Sequence, residues 1–189
     1  MIVIVGLGAL GSHVALLLRS FNLKLVDFDR VEQKNILAQF HGKMGLGMNK
    51  ASAMGRALQG MFGTKAEVVP HKLTGDNAYV ILKGSELVLD CTDNITARLL
   101  ISTACRKFNL PCLHGCLAAS GDFARIVWEE AFVADKEGDD AKATCVDGEH
   151  LPFYAASAAF MALEAQRYLT TKKRSNFQLS PTSIMKWTS

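Results

Sequence analysis

Apolar residues in this chain fall in short unbroken runs separated by longer stretches of helical spacing. Ile2–Val5, Leu23–Phe28 and Leu87–Asp90 lack the period-two alternation of a half-exposed strand. Such runs predict strands buried on both faces of a parallel sheet. Between them, His13–Arg19, Met48–Met61, Asp76–Leu82 and Asn94–Lys107 carry the spacing of helices, and Glu67–Val69 is strand-like. Pro111–Leu117 and Phe123–Trp128 predict later strands, the second antiparallel. The stretch from Ala131 to His150 turns polar and acidic and is expected to be a loop. Phe153–Leu169 then forms a long apolar helix, and Asn176–Trp187 a final strand or hairpin. This alternation predicts a single domain over residues 1–189 of the α/β class. Its expected architecture is a Rossmann-like doubly wound, mainly parallel sheet with mixed antiparallel strands at the C-terminal end.

Composition narrows the function classes. The 189 residues are 49% hydrophobic and 21% charged with a formal net charge of +3, an ordinary globular balance. The one basic run, Lys172-Lys173-Arg174, is too short to argue for nucleic acid and reads as a solvated helix end. No apolar stretch reaches the roughly 18–20 residues of a membrane span. The first residues lack a basic leader, and their glycines interrupt what a signal peptide would keep apolar. A soluble cytoplasmic protein is expected. The five cysteines form no C-x-x-C pairs, which argues against structural zinc and for reduced thiols.

The chemistry begins at Gly6-Leu7-Gly8-Ala9-Leu10-Gly11, a G-x-G-x-x-G placed between a strand and a helix. The first glycine permits a tight turn, the second lets a phosphate approach the backbone, and the third lets helix and strand pack closely. The helix N-terminus offers free N–H groups to an anion. Asp27 ends the second strand, where its carboxylate can accept both ribose hydroxyls. A nucleotide site is predicted, and a nicotinamide-dependent oxidoreductase would share everything to this point.

The residues that follow separate the two. Val26–Phe40, VDFDRVEQKNILAQF, resembles the D-x-D-x-V-x-x-x-N-x-x-x-Q stretch of the E1-like superfamily, which includes ThiF, MoeB and the adenylation domains of ubiquitin-activating enzymes. Lys50-Ala51 opening the next helix, Asp90-Cys91-Thr92-Asp93-Asn94 with Arg98 one turn later, and TCVDGEHLPFYAASAAFMALEAQRYL before the C-terminus agree in order with the same family. The likeness covers roughly Ile2 to Leu169.

The resemblance implies an ATP-dependent adenylyltransferase acting on the C-terminal carboxylate of a ubiquitin-like or sulfur-carrier protein, or of a peptide, and working as a homodimer. It implies that Lys50 neutralises the phosphates, Asp93 holds Mg²⁺ and Asp27 fixes the ribose. Asn35 and Gln39 would complete the pocket, with Asp29 close by. Several of these residues also have plainer readings. Lys50 fits an exposed helix lysine, Asp93 fits an N-cap for the helix at Asn94, and Arg98 fits either substrate binding or a solvated face. Cys145 aligns with a loop cysteine that in several relatives attacks the acyl-adenylate; the alternative is a loop cysteine without a role. Cys91, His13 and His114 read as packing or satisfied core residues, and His41 and His71 carry no assigned role.

Three departures from the family pattern stand out. Ala38 occupies the place of an arginine that pairs with the triphosphate, leaving Lys34 and Lys43 as replacement cations. The chain opens at its first strand, without the helices that in bacterial members lend an arginine to the partner's site. The two zinc-binding C-x-x-C pairs are missing. A minimal member is expected, either catalytic or a non-catalytic binding subunit.

Overall fold

The computed structural model describes residues 1–118, 120–134 and 148–188. Its strands are β1 (Ile2–Val5), β2 (Leu23–Val26), β3 (Glu67–Val69), β4 (Leu87–Asp90), β5 (Cys112–Leu117), β6 (Ala124–Trp128), β7 (Asn176–Ser180) and β8 (Ser183–Trp187). The helices are α1 (Ala9–Leu17), α2 (Lys50–Phe62), α3 (Ala78–Leu82), α4 (Ile95–Phe108) and α5 (Leu151–Thr171). All strands join one sheet in the order β3-β2-β1-β4-β5-β6-β7-β8. Pairings from β3 through β5 are parallel, and those from β5 to β8 are antiparallel.

The unbroken apolar runs serve both faces, as their pattern requires. In β1, Ile2 and Ile4 enter one core with Leu23, Leu25, Leu87 and Leu89, against residues of α1, α2 and α5. Val3 and Val5 enter the other with Val26 and Val88, against α3 and α4. Side chains alternate across a strand, so a strand covered on both sides must be apolar at every position. Lys24 of β2 is charged yet buried, and its Nζ donates to the Ile81 carbonyl at 3.0 Å and pairs with Glu67 at 3.2 Å.

Helix α1 starts at Ala9, four residues before its expected start, because the glycine turn itself forms its N-terminus. Helix α4 is capped by Asn94, whose Oδ1 accepts from the Ala97 N–H at 2.8 Å. The plainer reading of Asp93 as the cap is therefore corrected by one residue. The final segment is a hairpin, β7–β8. No described helix is long and apolar enough to cross a membrane.

Order reverses at β1: β2 lies on one side and β4 on the other, both parallel to it. In a doubly wound sheet the crevice beyond the carboxyl ends of strands at such a reversal is where ligands bind.

Candidate functional site

A cavity of about 380 Å³ opens at that reversal, within the range of small-ligand pockets. Its floor is the glycine turn. Gly6 has φ +88°, and a Cβ on it would stand 2.8 Å from the Cys91 carbonyl oxygen, so the β1 turn and the end of β4 touch only because no side chain separates them. A Cβ on Gly11 would lie 1.9 Å from the Gly6 carbonyl oxygen, which fixes glycine where α1 meets β1. Gly8 differs: the nearest atom to a Cβ there is Gln39 Nε2 at 3.9 Å. Nothing in the fold demands glycine at this position, yet its bare backbone faces the cavity it lines.

Asp27 immediately follows β2 and is buried at the cavity wall. Its Oδ2 accepts from the Leu7 N–H at 2.6 Å and its Oδ1 from the Asp29 N–H at 2.8 Å. Burial pushes the carboxyl above its ordinary range, against these two bonds and the Lys50 charge. Each oxygen keeps a second lone pair for a hydroxyl donor.

Lys50 is buried, not the exposed helix lysine of the plainer reading, and lines the cavity with its Nζ 3.4 Å from Asp29 Oδ2. The first turn of α2 is held there by Asn49. Its Oδ1 caps Ser52 N at 3.1 Å, and its Nδ2 donates to the carbonyls of Asp27 and Asp29. Asp93 is exposed at the cavity lining and has no hydrogen-bond partner among the described residues. Arg98 points into the cavity from α4, not out to solvent. Its Nη1 donates to the Gly115 carbonyl at 3.2 Å and contacts Cys116 Sγ at 2.6 Å.

Residues 28–49 close the site over α1. Phe40 N donates to Ser12 Oγ at 2.9 Å, and His41 Nε2 donates to the Leu7 carbonyl at 2.8 Å. His41, with no role in the sequence reading, thus ties this segment to the glycine turn, and burial lowers its pKa so that it stays neutral. Gln39 lines the cavity, and its buried Oε1 has no hydrogen-bond partner among the described residues. Asn35 does not line the cavity. Its Oδ1 accepts from the Glu32 N–H at 2.8 Å and shapes the short 3-10 turn Gln33–Asn35.

Ala38 is fully buried against Ala9 and Tyr154. Neither Lys34, paired with Glu32 at 2.9 Å, nor Lys43 lines the cavity as a substitute cation. The lining cations are Lys50, Arg98 and Lys72, with His71 beside Lys72. Lys72 follows β3 and lies 5.4 Å from the Phe28 ring centroid, an arrangement no local motif announces. Cys145 lies outside the described residues.

A doubly wound sheet, a glycine turn at the strand reversal and an acidic residue closing β2 define a dinucleotide-fold nucleotide-binding domain. The ThiF family model matches residues 1–188, and the chain belongs to the ThiF family. It is 38% identical over 120 residues to the adenylyltransferase and sulfurtransferase MOCS3 of Drosophila sechellia. Against MOCS3 of Dictyostelium discoideum it is 32% identical over 119 residues. These alignments cover 60% of this chain and 26% and 28% of the relatives, so the likeness spans about a quarter of those proteins. The fold matches that of E. coli MccB with a TM-score of 0.79 at 16% identity, over 99% of this chain and 61% of MccB. MccB with AMPCPP and MccA gives 0.80 at 14% identity, over 99% and 62%.

Proposed function

We propose that this protein adenylates a C-terminal carboxylate with ATP, on a ubiquitin-like or sulfur-carrier protein or a peptide. One observation carries the reading: Gly8 backbone, Asp27, the unpartnered Gln39 Oε1, Lys50 and Arg98 converge on a single cavity at the strand reversal. That set matches a nucleoside triphosphate part by part. Asp27 takes the ribose hydroxyls, with Asp29 beside it orienting Lys50. The α1 N-terminus and Lys50 take phosphate oxygens, and Gln39 Oε1 accepts a donor from the bound nucleotide. The relatives named adenylyltransferases, and the MccB structure with AMPCPP and MccA, support the same class.

In the reaction, a carboxylate oxygen bonds to the α-phosphorus while the bond from that phosphorus to the bridging oxygen breaks and pyrophosphate leaves. Two anions must meet, so Lys50 and Arg98 lower the repulsion between them. Asp93 fits a magnesium ion: it is a single free carboxylate at the lining, and magnesium prefers one or two carboxylates plus phosphate oxygens. When bound there, magnesium would neutralise charge on the phosphates. Cys145 is the proposed acceptor of the acyl group, its sulfur displacing AMP as the thiol proton passes to solvent. This step rests on sequence alone.

ATP–pyrophosphate exchange tests the reading. With a small carrier protein ending in Gly-Gly, exchange is expected, and Cys145→Ser should leave it intact while abolishing any covalent conjugate. ATP binding without exchange for any carrier or peptide would instead support a non-catalytic binding subunit, a reading that buried Ala38 favours. A homodimer is proposed with the family, and sedimentation showing only monomer at micromolar concentration would refute it.

A further inference from the structure

A second polar cluster lies behind the pocket and is not part of its lining. Asp90 of β4, His114 of β5 and Glu129, in the short 3-10 turn Glu129–Ala131, form a buried row. His114 Nδ1 is 2.8 Å from Asp90 Oδ2, and its Nε2 is 2.6 Å from Glu129 Oε2. Ionised carboxylates only accept, so both ring nitrogens must donate, which requires the imidazolium. The outer oxygens are also satisfied. Glu129 Oε1 accepts from Ser102 Oγ at 2.7 Å and Arg106 Nε at 2.5 Å, both on α4. Asp90 Oδ1 accepts from Thr92 N at 3.0 Å and Thr92 Oγ1 at 2.7 Å. An unbroken chain of hydrogen bonds therefore runs from α4 through the sheet to Thr92, which lines the pocket and immediately precedes Asp93.

The protonation states agree with this geometry. Burial pulls the His114 imidazole down, and the bonds from Asp90 and Glu129 more than reverse it, leaving it raised. Burial pushes Asp90 and Glu129 up, and the His114 bond, with Arg98 for Asp90 and Ser102 for Glu129, holds both below their ordinary values. Other titratable groups facing the cluster are Cys91 after β4, Cys112 on β5 and Cys105, Arg98 and Arg106 on α4. Phe132 covers the ring, stacked at 4.0 Å and 13°. Cys112, His114 and Glu129 have ligand atoms within 4.8 Å of one another, the spacing of a metal site. The direct 2.6 Å contact of His114 with Glu129, and Arg106 on the same carboxylate, favour the hydrogen-bonded row instead.

We propose that His114 is a positioning residue for the pocket: bound on both sides by Asp90 and Glu129, it locks the β4–α4 turn so that Thr92 and Asp93 present a fixed wall to the triphosphate. This rests on the reading of the pocket as an ATP site. The row is long-range, since Asp90, His114 and Glu129 meet only through the sheet and the turn after β6. Its loss would leave Asp90 Oδ2 and Glu129 Oε2 buried without their hydrogen-bond donor, with only Arg98 and Arg106 as remaining cations, and free Thr92 to move.

The test uses the whole chain. Nitrogen-15 spectra of the wild-type protein near neutral pH should show both His114 ring nitrogens protonated; a single ring N–H overturns the proposal. His114→Asn should weaken Mg-ATP binding about tenfold, the size of effect seen for groups behind a first set of ligands, and raise KM for ATP with the carrier KM unchanged. Glu129→Gln keeps a partner for a neutral ring, because the amide can donate to Nε2. It should bind ATP like wild type at neutral pH yet lose the weakening of ATP binding that wild type shows as pH rises through the His114 pKa. If His114→Asn does not fold, that difference in pH profile still decides, and identical profiles overturn the proposal. A folded His114→Asn with unchanged ATP affinity overturns it while leaving the ATP site standing. Stoichiometric zinc in the purified protein that His114→Asn abolishes also overturns it. Absence of ATP binding by the wild-type protein overturns the site and this proposal together.

Discussion

The two walls of the pocket are built on opposite principles. On the α4 side the inner charges are answered, with Asp93 alone left open to the cavity: Arg98 has Gly115 and Cys116, Asp90 has His114 and Thr92, Glu129 has Ser102 and Arg106. On the side of residues 28–49, the position expected to carry a cation is Ala38, packed against Ala9 and Tyr154, and the polar atom beside it, Gln39 Oε1, is unanswered. The inner row of one wall is hydrogen-bonded before any ligand arrives. The other waits for a donor. On the proposed reading, electrostatic binding of the phosphates falls to the α2 and α4 sides, where Lys50 and Arg98 line the cavity, and not to the region of residue 38.

The largest effect is expected at the floor the walls share. Gly11→Ala places a Cβ 1.9 Å from a backbone oxygen and should cost about 3 kcal/mol or more, read by chemical denaturation. An unchanged midpoint would mean that α1 can shift away from β1. Next come the groups assigned to phosphate and magnesium. Lys50→Ala and Asp93→Ala should each reduce pyrophosphate exchange by about 100-fold or more while the fold persists. Normal exchange in either would refute its role. Ala38→Arg sharpens the contrast between the walls. Its charge would enter a site lined by Ala9 and Tyr154, so it should lower stability by about 3 kcal/mol and not raise exchange. Faster exchange at an unchanged melting temperature would show that this wall opens toward the phosphates.

The smallest expected effect is on pH dependence, and its sign follows from the charged wall. His114 is raised in the fold, so its stabilisation is complete below its ordinary value of 6.5 and is lost as pH rises through the higher folded value. Asp90 and Glu129 are lowered, so their contribution is present above 3.8 and 4.5 and is lost as pH falls through the lower folded values. Stability measured against pH should therefore decline on both sides of a plateau, and His114→Asn should remove the alkaline decline. A wild-type curve flat on the alkaline side would contradict the imidazolium.

Much of this was legible along the chain because it is local. The glycine turn, Asp27 after β2 and the buried strands are each set by a few neighbouring residues, and the structure places them where the pattern predicts. What escaped depends on phase or distance. Whether Arg98 points inward is decided by how α4 is rotated, and one residue of cap placement, Asn94 for Asp93, changes that phase. Lys72 reaches the cavity from the loop after β3, which carries no motif. His41 carries no role in the sequence until the fold brings it to Leu7, and His114 acquires meaning only from partners 24 and 15 residues away. Asn35 shows the converse: a position marked by resemblance shapes its own turn and stands back from the cavity.

The unanswered oxygen of Gln39 has a consequence for the free protein. A buried acceptor without a donor destabilises the fold that contains it, by about 1–3 kcal/mol in typical cases. The ligand-free state is therefore expected to be less stable than a complex that supplies a donor to this atom. A nucleotide that donates to this atom should raise the melting temperature beyond what its contacts elsewhere contribute. Gln39→Met should have the opposite profile, with a firmer empty protein and a smaller thermal shift on adding ATP, so that resilience and responsiveness trade against each other at one atom.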